Sequence, residues 1–243
     1  MEKIKDKISI ITICYNCASD LERTIKSVLA QTYSQIEYII VDGGSTDHTP
    51  QILDKYKDRI ECIISEPDDG IYDALNKGIR RATGEWILCL NAGDVLRNDH
   101  VFTDIFSNEI PDHISFLYSD YILIYENGKT ETRPCDRSKG VIHHQNSIYR
   151  RNLHNTYGYY IVTHPYIVSD LLFFLAIPEK KFMKVNTIMT NVQFGGVSNG
   201  QWCTLQRWAA HIIYGKETFP SVFKQYALMK IKNLVKLILH IKH

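Results

Sequence analysis

Between residues 8 and 90 the chain alternates compact apolar runs with longer stretches whose apolar positions recur every three or four residues. Ile8 to Cys14 is almost continuously apolar or β-branched, which predicts a strand covered on both faces. Leu21, Ile25, Val28 and Leu29 fall on one face of a helix starting near Leu21, with Ser19 or Asp20 as its cap. Tyr38 to Val41 is a second buried strand, closed by the breaker pair Gly43-Gly44. A helix over Pro50 to Tyr56 carries proline in its first turn, and Cys62 to Ile64 is a short third strand. Ser65 to Gly70 is a loop by composition. Ile71, Leu75, Ile79 and Ala82 share the face of another helix, and Trp86 to Leu90 is a fourth strand. This alternation predicts an α/β fold with a mostly parallel central sheet flanked by helices.

Beyond residue 100 the pattern is less regular. Val101 to Phe106 reads as a short helix, Ile114 to Tyr125 as a strand, and Asn127-Gly128 as a hairpin turn. Val141 to Arg150 has a strand pattern containing His143-His144. Ser169 stands as cap to an apolar helix over Leu171 to Ile177. Phe182 to Phe194 is extended, and the chain from about Leu205 is helical. With no repeat and no clear linker, residues 1–204 read as one domain. Its first half (1–98) suits a nucleotide-type ligand and its second (99–204) an acceptor; 205–243 form a helical tail.

Composition narrows the class. The 243 residues are 44% apolar and 23% charged, which favours a globular core over disorder. A net charge of +1 gives no support to a nucleic-acid partner. The six cysteines are scattered; Cys14 and Cys17 have C-x-x-C spacing without the second pair a zinc site needs, so packing is expected of them. Neither a signal peptide nor an apolar run of about 18 residues is visible, which gives a cytoplasmic expectation, at most peripheral on the inner membrane face. In the tail, Ile231, Leu234, Ile238 and Ile241 recur at helical spacing among Lys230, Lys232, Lys236 and Lys242. Such a basic amphipathic helix suits an anionic membrane surface, or else packs on the body or on a second subunit.

The candidate chemistry lies at strand ends. Asp42 follows the second strand, Asp94 the fourth, and Tyr15 the first; in a parallel sheet these ends share one edge, where open α/β sheets bind ligands. A ring there can stack on a base, and a carboxylate can accept hydrogen bonds from a base or ribose. Asp94 could hold a hard divalent cation together with diphosphate oxygens. Asp170 could face the same cleft and act as a base. Each acid taken alone reads more often as a turn-former or helix cap; it is their joint pattern that points to a site. Asp68, Asp69 and Asp73 read as a solvated loop and a helix first turn, and His143-His144 as strand-edge structure rather than metal ligands.

Taken together, several motifs agree in order. T-I-C-Y-N at 12–16, V-D-G-G-S-T-D at 41–47, S-E-P-D-D-G-I-Y-D-A-L-N-K-G-I at 65–79, A-T-G-E-W at 82–86 and L-N-A-G-D at 90–94 resemble glycosyltransferase family two, in the branch that builds bacterial surface polysaccharides. H-Q at 144–145, S-D at 169–170 and G-G-V-S at 195–198 resemble the same branch. The resemblance implies a GT-A fold, a nucleotide-diphosphate sugar as donor (a UDP-sugar first among them), a glycan or lipid-linked acceptor, and Mg²⁺ or Mn²⁺. By position it implies that Thr12, Tyr15 and Asn16 line the nucleoside pocket and that Asp42 holds the base or ribose. Asp73, Asn76 and Lys77 would border the nucleotide–sugar cleft, as would Gly195-Gly196. Asn91, Ala92, Gly93 and Asp94 occupy the place of the metal-binding D-x-D motif, with Asp94 its remaining carboxylate, and Asp170 matches the general base. The implied reaction is an inverting, metal-dependent hexosyl transfer.

Two departures stand out. The family's commonest form has two acids after the second strand, where this chain has Gly43, and its D-x-D place keeps one acid. Thr204 replaces the Gln of the Q-x-x-R-W motif of processive synthases, so a polymerase is not expected. Rival readings are a non-catalytic sugar-nucleotide-binding scaffold and a sugar nucleotidyltransferase. The latter should carry a basic, Gly-rich phosphate loop after the first strand, where Cys14 to Cys17 stands. The missing G-x-G-x-x-G argues against a dinucleotide dehydrogenase.

Overall fold

The computed structural model describes residues 6–162, 168–195 and 201–240. Its main sheet has seven strands in the order β10-β6-β9-β4-β1-β2-β3. The first-half strands are β1 (Ile8–Cys14), β2 (Ile36–Asp42), β3 (Cys62–Ser65) and β4 (Trp86–Cys89). They pair in parallel, with β1 between β2 and β4. From the second half come β6 (Phe116–Tyr118), β9 (Ser147–Arg150) and β10 (Phe182–Lys184). β9 runs antiparallel to both β4 and β6, while β10 is parallel to β6. A smaller sheet, β5-β11-β7-β8, joins β5 (Val95–Leu96), β7 (Tyr121–Ile124), β8 (Thr130–Arg133) and β11 (Thr190–Gln193).

Alternation along β1 explains the layers. Ile8 and Ile10 point into one core with Leu21, Ile25, Leu53 and Phe102. Ile11 and Ile13 point into the other with Leu75, Ile79, Phe173 and Phe174. Helices α1 (Ala18–Leu29), α2 (Thr49–Tyr56) and α4 (Val101–Phe106) therefore cover one face. α3 (Ile71–Arg81), α5 (Leu153–Tyr157) and α6 (Ser169–Ala176) cover the other. Cys203 and Ala210 of α7 (Gln201–Ile213) pack on Leu171 and Leu175 of α6 and on Val168 just before it, and α8 (Phe219–His240) follows. The 204/205 division falls inside α7.

Several element boundaries differ from the sequence reading. α1 starts at Ala18, so Ser19 and Asp20 lie in its first turn and no side chain of its own caps it. Asp47 in the loop after β2 and Thr49 at the start of α2 do that work: Cys17 N–H donates to Thr49 Oγ1 at 3.1 Å and Ala18 N–H to Asp47 Oδ2 at 3.3 Å. Ser169 is not a cap either; its hydroxyl accepts from Ile161 N–H at 2.6 Å. The expected strand over Ile114 to Tyr125 is two strands in different sheets, broken at Ser119-Asp120. Phe182 to Phe194 divides likewise into β10 and β11. The Asn127-Gly128 turn does join an antiparallel hairpin, β7 to β8, with Gly128 at φ +78°. All six cysteines are free. Among the described residues no helix is long and apolar enough to cross a membrane.

Candidate active site

Parallel pairing brings the carboxyl ends of β1, β2, β3 and β4 to one edge. Asp42 is fully buried at the end of β2. Its carboxylate accepts from Ser45 N–H at 3.2 Å, from the Ser45 hydroxyl, and from the Ser65 hydroxyl at 2.7 Å. The acid thereby shapes the turn that follows it and ties that turn to β3. Asn16 completes the corner. It sits at φ +49°, a conformation Asn tolerates, and its Oδ1 accepts from Thr46 N–H at 2.8 Å. Its own N–H donates to Ser45 Oγ at 2.8 Å. Tyr15, between these tied residues, is 63% exposed, so its ring is free to stack on a flat ligand.

Asp68 enters this corner from the loop before α3. A Cβ at Gly43 would lie 2.5 Å from Asp68 Oδ2 and 3.4 Å from Tyr15 Cδ2. The carboxylate absent at position 43 thus has a spatial counterpart in Asp68. Asp73 and Lys77 hold that loop down. Asp73 Oδ2 accepts from Asp69 N–H at 3.1 Å and pairs with Lys77 at 3.2 Å. Lys77 also donates to Pro67 O at 2.8 Å and pairs with Glu66 at 3.0 Å. Thr12 and Asn76 lie deeper. Thr12 is inside the sheet, its hydroxyl accepting from Tyr38 at 3.1 Å. Asn76 bonds both backbone groups of Tyr160, at 2.8 and 3.0 Å, and so pins the segment before α6 onto α3.

The turn after β4 is built from α1. The buried Thr24 hydroxyl donates to Asp94 O at 2.7 Å and accepts from Gly93 N–H at 2.9 Å, with Gly93 at φ +100°. Ala92 N–H extends the edge by donating to Ile13 O at 3.2 Å. Asp94 is 6% exposed, and Oδ1 accepts from Gln193 N–H at 3.3 Å. Burial pushes its carboxyl up to about 6, against the opposing pull of His144, the Gln193 N–H, Gln145 and Arg23. Among the described residues no group of three or more His, Cys, Asp or Glu side chains is arranged to hold a metal. A buried carboxylate without a cationic partner at hydrogen-bond range among the described residues nonetheless suits a hard cation whose other ligands are phosphate oxygens and water.

Asp170 reaches the site from the first turn of α6. The Tyr72 hydroxyl donates to Oδ1 at 2.8 Å, and His144 Nδ1 lies 2.9 Å from Oδ2. Burial would raise this carboxyl, but the His144 bond and charge, the Tyr72 bond and the Leu171 N–H overcome it and hold it below the ordinary range. Asp170 is therefore ionised at neutral pH, with acceptor capacity still left on the carboxylate. His144 Nε2 in turn lies 3.0 Å from Asn91 Nδ2. The antiparallel sense of β9 explains this meeting: the turn before β9, His144–Asn146, falls on the edge where β4 ends. His143, by contrast, is half-buried, edge-on against Tyr121, and held down to about 4 by desolvation, hence neutral.

The structure thus gathers Tyr15, Asn16 and Asp42 at one corner and links Asn91 to Asp170 through His144. Asp73, Asn76 and Lys77 brace the surroundings. Gly195 is described, at φ +117°, whereas Gly196 to Ser198 lie outside the described residues. His144, Tyr72, Thr24 and Asp68 were not singled out from the sequence for these places. The one hint was the H-Q pair at 144–145, which carried no role.

The fold matches a known class. S. aureus TarS 1-349, solved in complex with UDP-GlcNAc, superposes with a TM-score of 0.67 over 86% of this chain and 65% of that one, at 18% identity. The architecture is GT-A, a central sheet flanked by helices. The model of glycosyl transferase family 2 matches residues 9–105. A PGL/p-HBAD biosynthesis glycosyltransferase of Mycobacterium bovis is 32% identical over 204 residues, 79% of this chain and 78% of that protein. This chain belongs to glycosyltransferase family 2. An uncharacterised glycosyltransferase of Mycobacterium tuberculosis shares 43% identity over 88 residues, 36% of this chain; the match spans about a third of that relative's length (34%).

Proposed function

We propose that the chain is an inverting hexosyltransferase that moves a sugar from a UDP-sugar to a hydroxyl of a glycan or lipid-linked acceptor in surface polysaccharide synthesis. The observation that carries this reading is the ionised Asp170, held between Tyr72 and His144 and linked through His144 and Asn91 to the turn that bears Asp94. An acceptor hydroxyl has a pKa far above neutrality, so its proton must leave as the new bond forms, and Asp170 is the base for it. The hydroxyl oxygen bonds to the anomeric carbon while the bond to the diphosphate oxygen breaks. Attack opposite the leaving group inverts configuration. Tyr15, Asn16 and Asp42 would seat the nucleoside. Asp94 is the residue that would hold Mg²⁺ or Mn²⁺, and the bound cation would neutralise charge on the leaving diphosphate. Family membership and the UDP-GlcNAc carried by the TarS complex support this donor class.

The test is release of nucleoside diphosphate from a panel of nucleotide sugars with Mn²⁺. The reading expects turnover above blank with at least one UDP-sugar, lost on chelation. Absence of turnover from every donor, together with no thermal stabilisation by UDP and Mn²⁺, would refute it.

We propose further that α8 rests on the inner membrane surface. Leu228, Ile231 and Val235 are exposed at i, i+3, i+7, near the exposed Lys224, Lys230 and Lys232. Co-sedimentation with anionic vesicles should fall on deleting residues 222–243; equal binding by both forms would remove this part.

A further inference from the structure

His144 bridges the base and the donor side of the site. Its side chain is 16% exposed, as is that of Asp170. An ionised carboxylate only accepts, so His144 Nδ1, at 2.9 Å from Asp170 Oδ2, must carry a proton. On the other side of the ring, Nε2 lies 3.0 Å from the Asn91 side-chain amide nitrogen. Contacts at both ring nitrogens fix tautomer and rotation together. The backbone beneath is fixed as well: the Ser147 hydroxyl donates to His143 O at 2.6 Å, and the buried Asn146 amide bonds Ser119 O.

Other titratable groups around Asp170 do not share this part. Tyr72 from α3, Tyr149 from β9, Tyr160 before α6, Cys89 from β4 and Cys203 from α7 are all pushed up by burial and by neighbours including its charge. They stay neutral at pH 7. His143 is neutral too, its pKa pushed down by the same desolvation. Tyr72 donates to one oxygen of Asp170, and His144 donates to the other while also reaching the segment that bears Asp94.

We propose that His144 is a positioning residue of the transfer reaction: it orients the Asp170 carboxylate toward the acceptor hydroxyl and ties that orientation to Asn91 on the donor side. The inference rests on the reading of Asp170 as general base. Burial would raise the Asp170 carboxyl, and the His144 bond is first among the interactions that reverse this. Losing His144 therefore lets the Asp170 carboxyl rise, and a protonated Asp170 cannot accept the hydroxyl proton. The Asp94 carboxyl, which His144 also pulls down, rises with it, so the Asn-against-Gln contrast at position 144 carries the distinction: only the Nδ1 side faces Asp170.

The test uses the full chain with Mn²⁺ and UDP-glucose, UDP-galactose and UDP-N-acetylglucosamine as donor probes. UDP release is followed against pH for wild type, His144→Ala, His144→Asn, His144→Gln and Asp170→Asn. Asn can place an N–H where Nδ1–H stood, whereas Gln reaches only toward the Nε2 position. The expected result for His144→Ala is a fall in kcat of about 10- to 100-fold, the scale for residues that orient an active group. Donor KM stays within about twofold and the acid limb moves up. His144→Asn restores the limb and His144→Gln does not. An unmoved limb in His144→Ala, or rescue by Gln equal to that by Asn, overturns the inference. If His144→Ala keeps wild-type turnover while Asp170→Asn loses it, the inference alone fails. If Asp170→Asn keeps it, the base reading fails and the inference falls with it. A histidine ¹⁵N–¹H spectrum of the wild-type chain is independent of turnover and of any variant's folding. His144 must appear with its proton on Nδ1; a neutral ring protonated at Nε2 overturns the proposal.

Discussion

A methyl group at position 43 would have to displace the Asp68 carboxylate, whose Oδ1 is already held by Gly70 N–H at 2.8 Å, and would crowd the Tyr15 ring. Glycine there lets the second carboxylate come from another loop. Gly43→Ala should therefore weaken UDP binding by about tenfold, a cost near 1.4 kcal/mol, while leaving the unfolding midpoint little changed. Isothermal titration checks this; wild-type affinity would mean that Asp68 and Tyr15 take no part in seating the nucleoside. The strand-end acids were legible from the sequence because each stands at a pattern boundary, where an apolar run stops or a helix begins. His144 and Tyr72 were not. They contact Asp170 across 26 and 98 residues, and periodicity carries no information about which loops meet. Asp68 has only the signature of a solvated loop in the sequence, because the close approach to Gly43 exists only once the loop is folded over the turn.

At the scale of elements, α3 is the brace between the two halves of the site. Tyr72 and Asn76, one turn apart, reach Asp170 and Tyr160, while Asp73 and Lys77 hold the loop that carries Asp68. Gly78 lets this helix lie close on β1: a Cβ there would run into Ile11 Cγ2, and Ile11 is fully buried. Alanine would gain about 1 kcal/mol of helix propensity. Overpacking a buried strand typically costs about 1–3 kcal/mol, so the clash wins. Gly78→Ala should lower the free energy of unfolding by about 1 kcal/mol, read from urea titration; a stabilised variant would show that α3 can lift from the sheet without cost. The elements of the first half were legible because each strand is buried on both faces and each helix shows one apolar stripe. In the second half, strands in two different sheets follow one another after a two-residue break at Ser119-Asp120. Alternation looks the same on either side of such a break, so one long strand was expected.

For the whole molecule, the start of the sheet depends on one buried acid. Glu37 accepts from Ser9, Lys7 and both the hydroxyl and the backbone N–H of Thr83, joining β1, β2 and the turn before β4. Burial would raise its carboxyl, but these donors hold it at about 2, below the ordinary 4.5. A depressed folded-state value means that the unfolded chain binds the proton first as pH falls. The stabilisation is thus complete above about pH 4.5 and lost as pH drops toward 2, an effect of order 3 kcal/mol. Glu37→Gln should unfold at lower urea concentration than wild type at pH 7, with the gap closing at acid pH; a gap constant with pH would contradict the assignment. The α/β class, and the shared edge on which the strand-end acids Asp42 and Asp94 stand, followed from the sequence alone. The antiparallel insertion of β9, which carries His144 to that edge, did not, because strand direction is set by tertiary pairing.

The most direct test of the site compares donor affinity with turnover in two variants. Asp170→Asn should bind UDP and Mn²⁺ as wild type does yet release UDP from a UDP-sugar at least about 100-fold more slowly, the scale of a lost general base. Asp42→Ala, which removes the acceptor ordering Ser45, should show the converse: affinity weakened more than the chemical step. Wild-type turnover in Asp170→Asn, or wild-type donor affinity in Asp42→Ala, would contradict a site in which the two acids divide proton transfer and nucleoside binding between them.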